Sequence, residues 1–213
     1  FRSYMNIQRD APIVSILPGS RKSEITRMVP ILDKMVRVIS IKYPNLIFVV
    51  PTTENVSDLV VDWVNKSKMP IKVISEKDLD SSVFEFQKKV LFSTSLAAVA
   101  TSGTVSLELA RMGSPMVIAY RASVFTEVLY KLLMKVKSAT LINILTSRMD
   151  IDEYLFRKCT FKNLSIGLNS ILIDKDVVKR QIIASNEAMV LLGLGGEDPK
   201  IRAAKSVLNF IST

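Results

Sequence analysis

The sequence has no histidine and a single cysteine in 213 residues. The first absence excludes a histidine general base and a histidine metal ligand within this chain. One thiol excludes an intrachain disulfide and, without histidine, a structural zinc site as well. Cys159 reads as a small buried hydrophobe, and the lack of disulfides suits a cytoplasmic chain. No apolar run approaches the roughly 20 residues that a membrane-spanning helix needs. Aromatic residues are few, 7% of the chain. They fall mostly at apolar periodic positions, which leaves no stacking platform for nucleic acid. The opening Phe1-Arg2-Ser3-Tyr4 carries neither an initiator methionine nor the apolar stretch of a signal peptide. The expectation is a chain cut from a longer one.

What is present describes an ordinary globular protein, 48% hydrophobic and 23% charged, of a length that suits one large α/β domain. The net charge of +9 is uneven. Residues 1–50 carry eight Lys/Arg against three Asp/Glu, and residues 111–148 six against one. Both stretches adjoin the loops singled out below. Such a concentration suits an anionic ligand or an anionic membrane surface, and a merely solvated basic face has the same composition.

Ile13 to Leu17 reads as a buried strand ended by Pro18-Gly19. A helix follows from about Ser23 to Tyr43, with Ile31, Met35, Val38 and Ile39 on one face and Pro30 as either its kink or its true start. Leu46 to Val50 is a second strand stopped by Pro51, residues 56–66 a helix, and Ile71 to Ile74 a third strand. Residues 82–94 favour a short helix. Ala97 to Ala100 is a small apolar strand, followed by a turn and a helix to about Met112, and Met116 to Ala119 is a further strand. Beyond it the pattern is helical at about 124–136, 161–173, 176–192 and 199–211, with glycines at 193, 195 and 196 separating the last two. Strands that are apolar throughout and alternate with helices predict a Rossmann-like parallel sheet with helices on both faces, closed by a helical C-terminal tail.

Two loops carry candidate chemistry. The first, Leu17-Pro18-Gly19-Ser20-Arg21, follows a strand and precedes a helix, where ligands bind in open α/β sheets. Gly19 lets the backbone approach a ligand, Ser20 offers a hydroxyl, and Arg21 offers a fork that suits phosphate. The spacing is not that of a Walker A loop. Taken alone, a Pro-Gly turn with an arginine is more often just a turn. The second loop, Ser102-Gly103-Thr104, opens a helix whose first-turn N–H groups could receive an anion. Glu108 lies one turn deeper on the same face, placed to accept from both hydroxyls of a ribose. The alternative is an N-cap serine and a surface glutamate. Together the loops suggest a diphosphate-linked nucleoside, and pattern reading ends there.

The ordered series Ile16-Leu17-Pro18-Gly19-Ser20-Arg21 with Ser23-Glu24-Ile25, Phe48-Val49-Val50-Pro51, Ser102-Gly103-Thr104-Val105-Ser106-Leu107-Glu108 and Pro115-Met116-Val117-Ile118-Ala119-Tyr120-Arg121 resembles the C-terminal half of lipid-A-disaccharide synthases. The resemblance extends to Ala203-Ala204-Lys205-Ser206-Val207-Leu208. It implies the C-terminal domain of a two-domain GT-B glycosyltransferase, a hexosyltransferase of lipid A synthesis that needs no metal or cofactor. Residues 1–12 are then the remnant of an inter-domain linker. Residues 13–213 are the donor-binding domain, its helical tail beginning near 161. The implied donor is a UDP-linked acylated glucosamine. The lipid acceptor and the general base belong to an N-terminal domain absent from this chain, so no catalytic residue is expected here and the chain alone is expected to be inactive.

Carried over residue by residue, Gly19, Ser20 and Arg21 match the family's diphosphate loop. Ser102, Gly103 and Thr104 match its Ser-Gly-Thr turn, and Glu108 its ribose-binding glutamate. The resemblance adds, as further donor contacts, Arg121 at the end of the Pro115–Arg121 segment, Asn143 and Arg148 in a Leu-Pro-Asn-x-x-x-Gly-Arg stretch, and Glu153 in a Pro-Glu-x-x-Gln stretch. This chain departs from the pattern at Leu96 (usually aspartate), Ile142 (proline), Ser147 (glycine), Asp152 (proline) and Phe156 (glutamine).

Residues 124–137 form a basic amphipathic pattern, with Lys131, Lys135 and Lys137 beside Val124, Phe125, Val128, Leu129, Leu132, Leu133 and Val136. Such a helix either packs on its own domain with lysines at the rim or lies on an anionic membrane surface. The second option places the protein peripherally on the inner face of the cytoplasmic membrane. Two rivals to the donor-binding reading stand. One is another GT-B enzyme acting on UDP-N-acetylglucosamine, such as an epimerase. The other is a non-catalytic remnant that binds a partner or the membrane.

Overall fold

The structure is a computed structural model that describes residues 1–122, Glu127, 138–197 and 199–211. Six strands form one sheet: β1 (Ile13–Leu17), β2 (Ile47–Thr52), β3 (Ile71–Ser75), β4 (Ala97–Thr101), β5 (Met116–Tyr120) and β6 (Asp152–Leu155). Their order is β3-β2-β1-β4-β5-β6, and every neighbouring pair is parallel. This is the Rossmann-like sheet that the apolar strands predict. Alternate residues of each central strand serve opposite faces. Val14 and Ile16 join Ala97 and Val99 in one core, while Ile13 and Leu17 join Ala98 and Ala100 in the other.

The helices are α1 (Lys22–Lys42), α2 (Ser57–Ser67), α3 (Ser81–Thr94), α4 (Val105–Arg111), α5 (Leu141–Thr146), α6 (Phe161–Ile173), α7 (Lys175–Leu191) and α8 (Pro199–Ile211). The first core gathers side chains from α1, α2 and α6, and the second from α3, α4, α5 and α7. Helices therefore cover both faces of the sheet.

Several boundaries differ from expectation for physical reasons. Helix α1 runs through Pro30, which is exposed, so the carbonyl it deprives of a partner can meet water. Its buried face is Ile25, Met28, Leu32, Met35, Val36 and Ile39, while Val38 faces outward. Strand β2 continues through Pro51 to Thr52. Its pairing with β1 ends at Val49, so Pro51 lies beyond that ladder, where a missing N–H is tolerated. Helix α5 and strand β6 escape the sequence reading. Helix α5 has only six residues, and β6 is a polar edge strand, Asp-Glu-Tyr-Leu, with no fully buried residue.

Residues 1–12 fold back on the domain. Met5 and Ile7 are buried in the second core, and Arg2 Nη1 donates to the Gln8 and Ala11 carbonyls at 2.9 and 2.7 Å. Helix α8 is exposed along the length described, including Ile201, Val207, Leu208, Phe210 and Ile211. The expected helix at 124–136 lies outside the described residues except for Glu127, whose carboxylate is 3.8 Å from Arg157 Nε. Among the described residues no helix is long and apolar enough to cross a membrane.

Candidate functional site

The connection leaving β1 leads to β2 on one side, and the connection leaving β4 leads to β5 on the other. The crevice between the C-terminal ends of these two adjacent strands is the topological switch point of the sheet. Thr101 Oγ1 donates to the Leu17 carbonyl at 2.6 Å and ties the two strand ends together. Above them opens a cleft of about 500 Å³, lined by Leu17, Pro51 and Thr101 at strand ends and by the loops that follow. Gly19, Ser20, Arg21, Ser102, Gly103, Thr104 and Glu108 all lie on its wall. Two loops about 80 residues apart in sequence thus face one space.

The first loop is held by a residue that the pattern reading passed over. Glu24, in the first turn of α1, accepts the Ser20 and Arg21 N–H groups on Oε2 at 3.0 and 3.3 Å. Gly19 adopts φ +118°, and an added Cβ would come within 2.5 Å of Glu24 Oε2. The glycine is therefore required for the approach of Glu24, a reason independent of any ligand. Those two backbone donors are occupied, so the loop's free groups are the side chains. Arg21 is 79% exposed and only loosely paired, its Nη1 3.7 Å from Glu24 Oε1.

In the second loop, Ser102 Oγ donates to the Ala139 carbonyl at 3.3 Å and Ser106 Oγ to the Gly103 carbonyl at 2.8 Å. A Cβ at Gly103 would meet nothing within 4 Å, so the space beside it is open. Thr104 is the cap of α4 and makes no side-chain capping bond, which leaves its hydroxyl available. Glu108 Oε2 is 3.0 Å from the ammonium of Lys88, which also lies 2.7 Å from Glu85 Oε1. Lys88, Glu85, Glu76 and Phe84 also line the cleft. None belongs to a motif. They come from α3, whose side chains reach the cleft only through tertiary packing, and from the turn after β3.

The described part of the wall carries both signs of charge. Among the lining residues are four glutamates (Glu24, Glu76, Glu85 and Glu108) and two cations, Arg21 and Lys88. Of the first basic stretch, Arg2, Arg9, Arg27, Lys34, Arg37 and Lys42 are not lining residues, and Lys131, Lys135 and Lys137 of the second lie outside the described residues. Two of the carboxylates share Lys88, and Glu24 is engaged with backbone N–H groups. Arg21 is the cation most exposed to an entering anion.

The model of the LpxB family, lipid-A-disaccharide synthetase, matches residues 1–205. The chain belongs to this family. It is 35% identical over its full length to the lipid-A-disaccharide synthase of Rhodospirillum centenum, covering 51% of that protein. It is 32% identical over 93% of its length to the synthase of Ruegeria pomeroyi, covering 49%. It is also 32% identical, over 88% of its length, to a probable mitochondrial lipid-A-disaccharide synthase of Arabidopsis thaliana, covering 40%. The chain thus spans about half the length of these relatives, or less. Solved structures share the fold at low identity. A UDP-GlcNAc 2-epimerase from Neisseria meningitidis bound to UDP-GlcNAc matches 90% of this chain and 46% of its own, with TM-score 0.56 and 12% identity. The glycotransferase of kitacinnamycin matches 93% and 43%, with TM-score 0.57 and 16% identity.

Four residues that the lipid-A-disaccharide synthase pattern suggested as donor contacts are not on the cleft wall. Arg121 Nη1 donates to the Phe156 carbonyl at 2.9 Å. Arg148 pairs with Asp150 at 2.8 Å and Glu187 at 2.6 Å. Asn143 is buried; its Nδ2 donates to the Ile151 carbonyl at 2.8 Å and its Oδ1 accepts the Ile151 N–H at 3.0 Å. Glu153 accepts the Ala139 and Thr140 N–H groups, both at 2.9 Å, and the Ser138 hydroxyl. Burial works to raise the Glu153 pKa, and these donors outweigh it and hold the carboxyl below its ordinary value. The Ala139 carbonyl in turn receives Ser102, so this network adjoins the cleft through one hydrogen bond.

The departures from the family pattern have local explanations. Ser147 is the left-handed cap of α5, φ +53°, a conformation that glycine adopts without strain and serine with some. Ile142 occupies the first turn of α5, where proline is also tolerated, and its side chain is fully buried in the second core. Phe156 is buried, its ring edge-on to Tyr120 with centroids 6.1 Å apart.

Proposed function

We propose that this chain is the donor-binding half of a glycosyltransferase that moves 2,3-diacylglucosamine from its UDP conjugate to 2,3-diacylglucosamine 1-phosphate, forming the lipid A disaccharide 1-phosphate and UDP. The observation that carries this reading is the convergence of the Ser20-Arg21 loop, the Ser102-Thr104 turn and Glu108 on one cleft at the switch point of the sheet. In this reading the Arg21 guanidinium and the Ser20 and Thr104 hydroxyls receive the diphosphate, and the Ser102 hydroxyl leaves its long bond to the Ala139 carbonyl to join them. Glu108, one turn into α4, accepts from the ribose hydroxyls. As the bond between the sugar and the diphosphate breaks, negative charge grows on the leaving phosphate. A cation and donors already aimed there stabilise that charge more than the ground state. The attacking hydroxyl is the acceptor's own, and the acceptor site and the base that takes its proton are assigned to an N-terminal half. The acyl chains require that half, or the membrane surface, to accommodate them.

The test joins this chain to the N-terminal half of a relative such as the Rhodospirillum centenum synthase. UDP release from UDP-2,3-diacylglucosamine is then followed with and without 2,3-diacylglucosamine 1-phosphate. Acceptor-dependent release, abolished by Glu108→Ala, is the expected result. Epimerisation of UDP-N-acetylglucosamine in place of transfer would replace this reading with the epimerase one. A hybrid that folds and does neither would favour a binding remnant.

A further inference from the structure

Lys88 belongs to none of the sequence motifs, yet it lies on the cleft wall. Its side chain is only 16% exposed, and its ammonium lies 2.7 Å from Glu85 Oε1 and 3.0 Å from Glu108 Oε2. The Phe84 ring lies beneath, its centroid 5.8 Å from Nζ. A surface lysine samples many rotamers and its ion pairs contribute little. Here the stem is packed, one side of the ammonium rests on an aromatic face, and two carboxylates hold it. Burial opposes the charge, and the hydrogen bonds that the ammonium donates to Glu85 and Glu108 more than offset it, so it stays protonated beyond its ordinary range.

The consequence falls on Glu108, whose side chain is 44% exposed. On a helix of seven residues facing open solvent, such a glutamate would move among several rotamers. The ion pair engages Oε2, while Oε1 makes no hydrogen bond among the described residues. A carboxylate that must receive two vicinal hydroxyls gains from being held in one orientation before the ligand arrives. We propose that Lys88 is a positioning residue for the nucleoside: it fixes Glu108 through Oε2 and keeps the carboxylate presented to the ribose diol. This rests on the reading of the cleft as a nucleotide site and adds to it the residue that sets its selectivity for a ribose.

The test compares the affinities of UDP and 2′,3′-dideoxyuridine 5′-diphosphate by calorimetry, in the wild-type chain and in Lys88→Met, Lys88→Gln and Lys88→Arg. The dideoxy compound keeps the base and both phosphates, so its affinity reports the fold and the phosphate contacts. The wild type prefers UDP. That preference falls about fivefold or more in Lys88→Met, falls less in Lys88→Gln, and stays within about twofold in Lys88→Arg. In a Glu108→Gln background, Lys88→Met changes the preference no further. A preference unchanged in Lys88→Met, or an equal weakening of both nucleotides, overturns the proposal. If Lys88→Met does not fold, an unchanged preference in Lys88→Gln overturns it. A wild type that binds neither nucleotide removes the donor-site reading itself. A wild type that prefers UDP by an amount insensitive to Lys88 removes only this role.

Discussion

Asn143 Nδ2 donates to Glu153 Oε1 at 3.0 Å, and the two side chains jointly fasten the 138–140 turn and the start of β6. Both residues fall in stretches that the family pattern suggested for the donor, and in this fold their polar atoms are engaged with the protein itself. A carboxylate that holds the N–H groups of Ala139 and Thr140, just ahead of α5, beside a buried amide is a structural anchor.

Glu153→Gln is expected to lower stability by about 1–2 kcal/mol, because it weakens charge-assisted bonds to two backbone donors and a hydroxyl. The folded carboxyl titrates below its ordinary value, so its stabilisation is fully present above about pH 4.3 and is lost as the pH falls through the folded value. Urea melts of both proteins check this. The gap between them should be constant from neutral pH to about pH 5 and narrow below pH 4. A gap that grew on acidification would contradict the assignment.

Gly19→Ala addresses the first loop. At φ +118°, with Glu24 Oε2 2.5 Å from the added Cβ, the variant must either strain the backbone or displace the carboxylate. A loss of about 1–3 kcal/mol is expected. Glu24 Cβ also lies 2.7 Å from the added Cβ, so removing the whole side chain with Glu24→Gly should recover part of it. Thermal melts of the single and double variants measure the coupling, and strict additivity would show that Glu24 is not the obstacle.

Cys159 is buried against Met28, and burial pushes its thiol up to about 11. Since the thiolate is the reactive form, the native protein should alkylate with iodoacetamide at pH 8 at least about a hundredfold more slowly than the urea-unfolded chain. Comparable rates would show that the surrounding core opens readily.

The sheet was legible because its strands are apolar on both faces and bounded by Pro, Gly or polar turns, as at Ile13 to Leu17 and Met116 to Ala119. The edge strand β6 was not, because Asp152 and Glu153 give it neither an apolar run nor an alternation. The two loops of the cleft could be read since each lies between a strand and a helix in a contiguous segment. Lys88, Glu85 and Phe84 could not. They sit at i, i+1 and i+4 on α3, an unremarkable helical pattern, and only the packing of α3 beside α4 brings them to Glu108. Glu24 had a local signal, a carboxylate three residues after the cap position, which points to a capping box. Net charge by segment could not place these groups, because it ignores which side chains face one another across a fold.

The most direct test of the account is calorimetric titration of UDP into this chain, alongside Arg21→Ala and Glu108→Ala. The account predicts saturable binding, weakened in each variant by about 1–3 kcal/mol for a lost charged hydrogen bond. Binding of equal strength in all three proteins would contradict the placement of the nucleotide between these two loops.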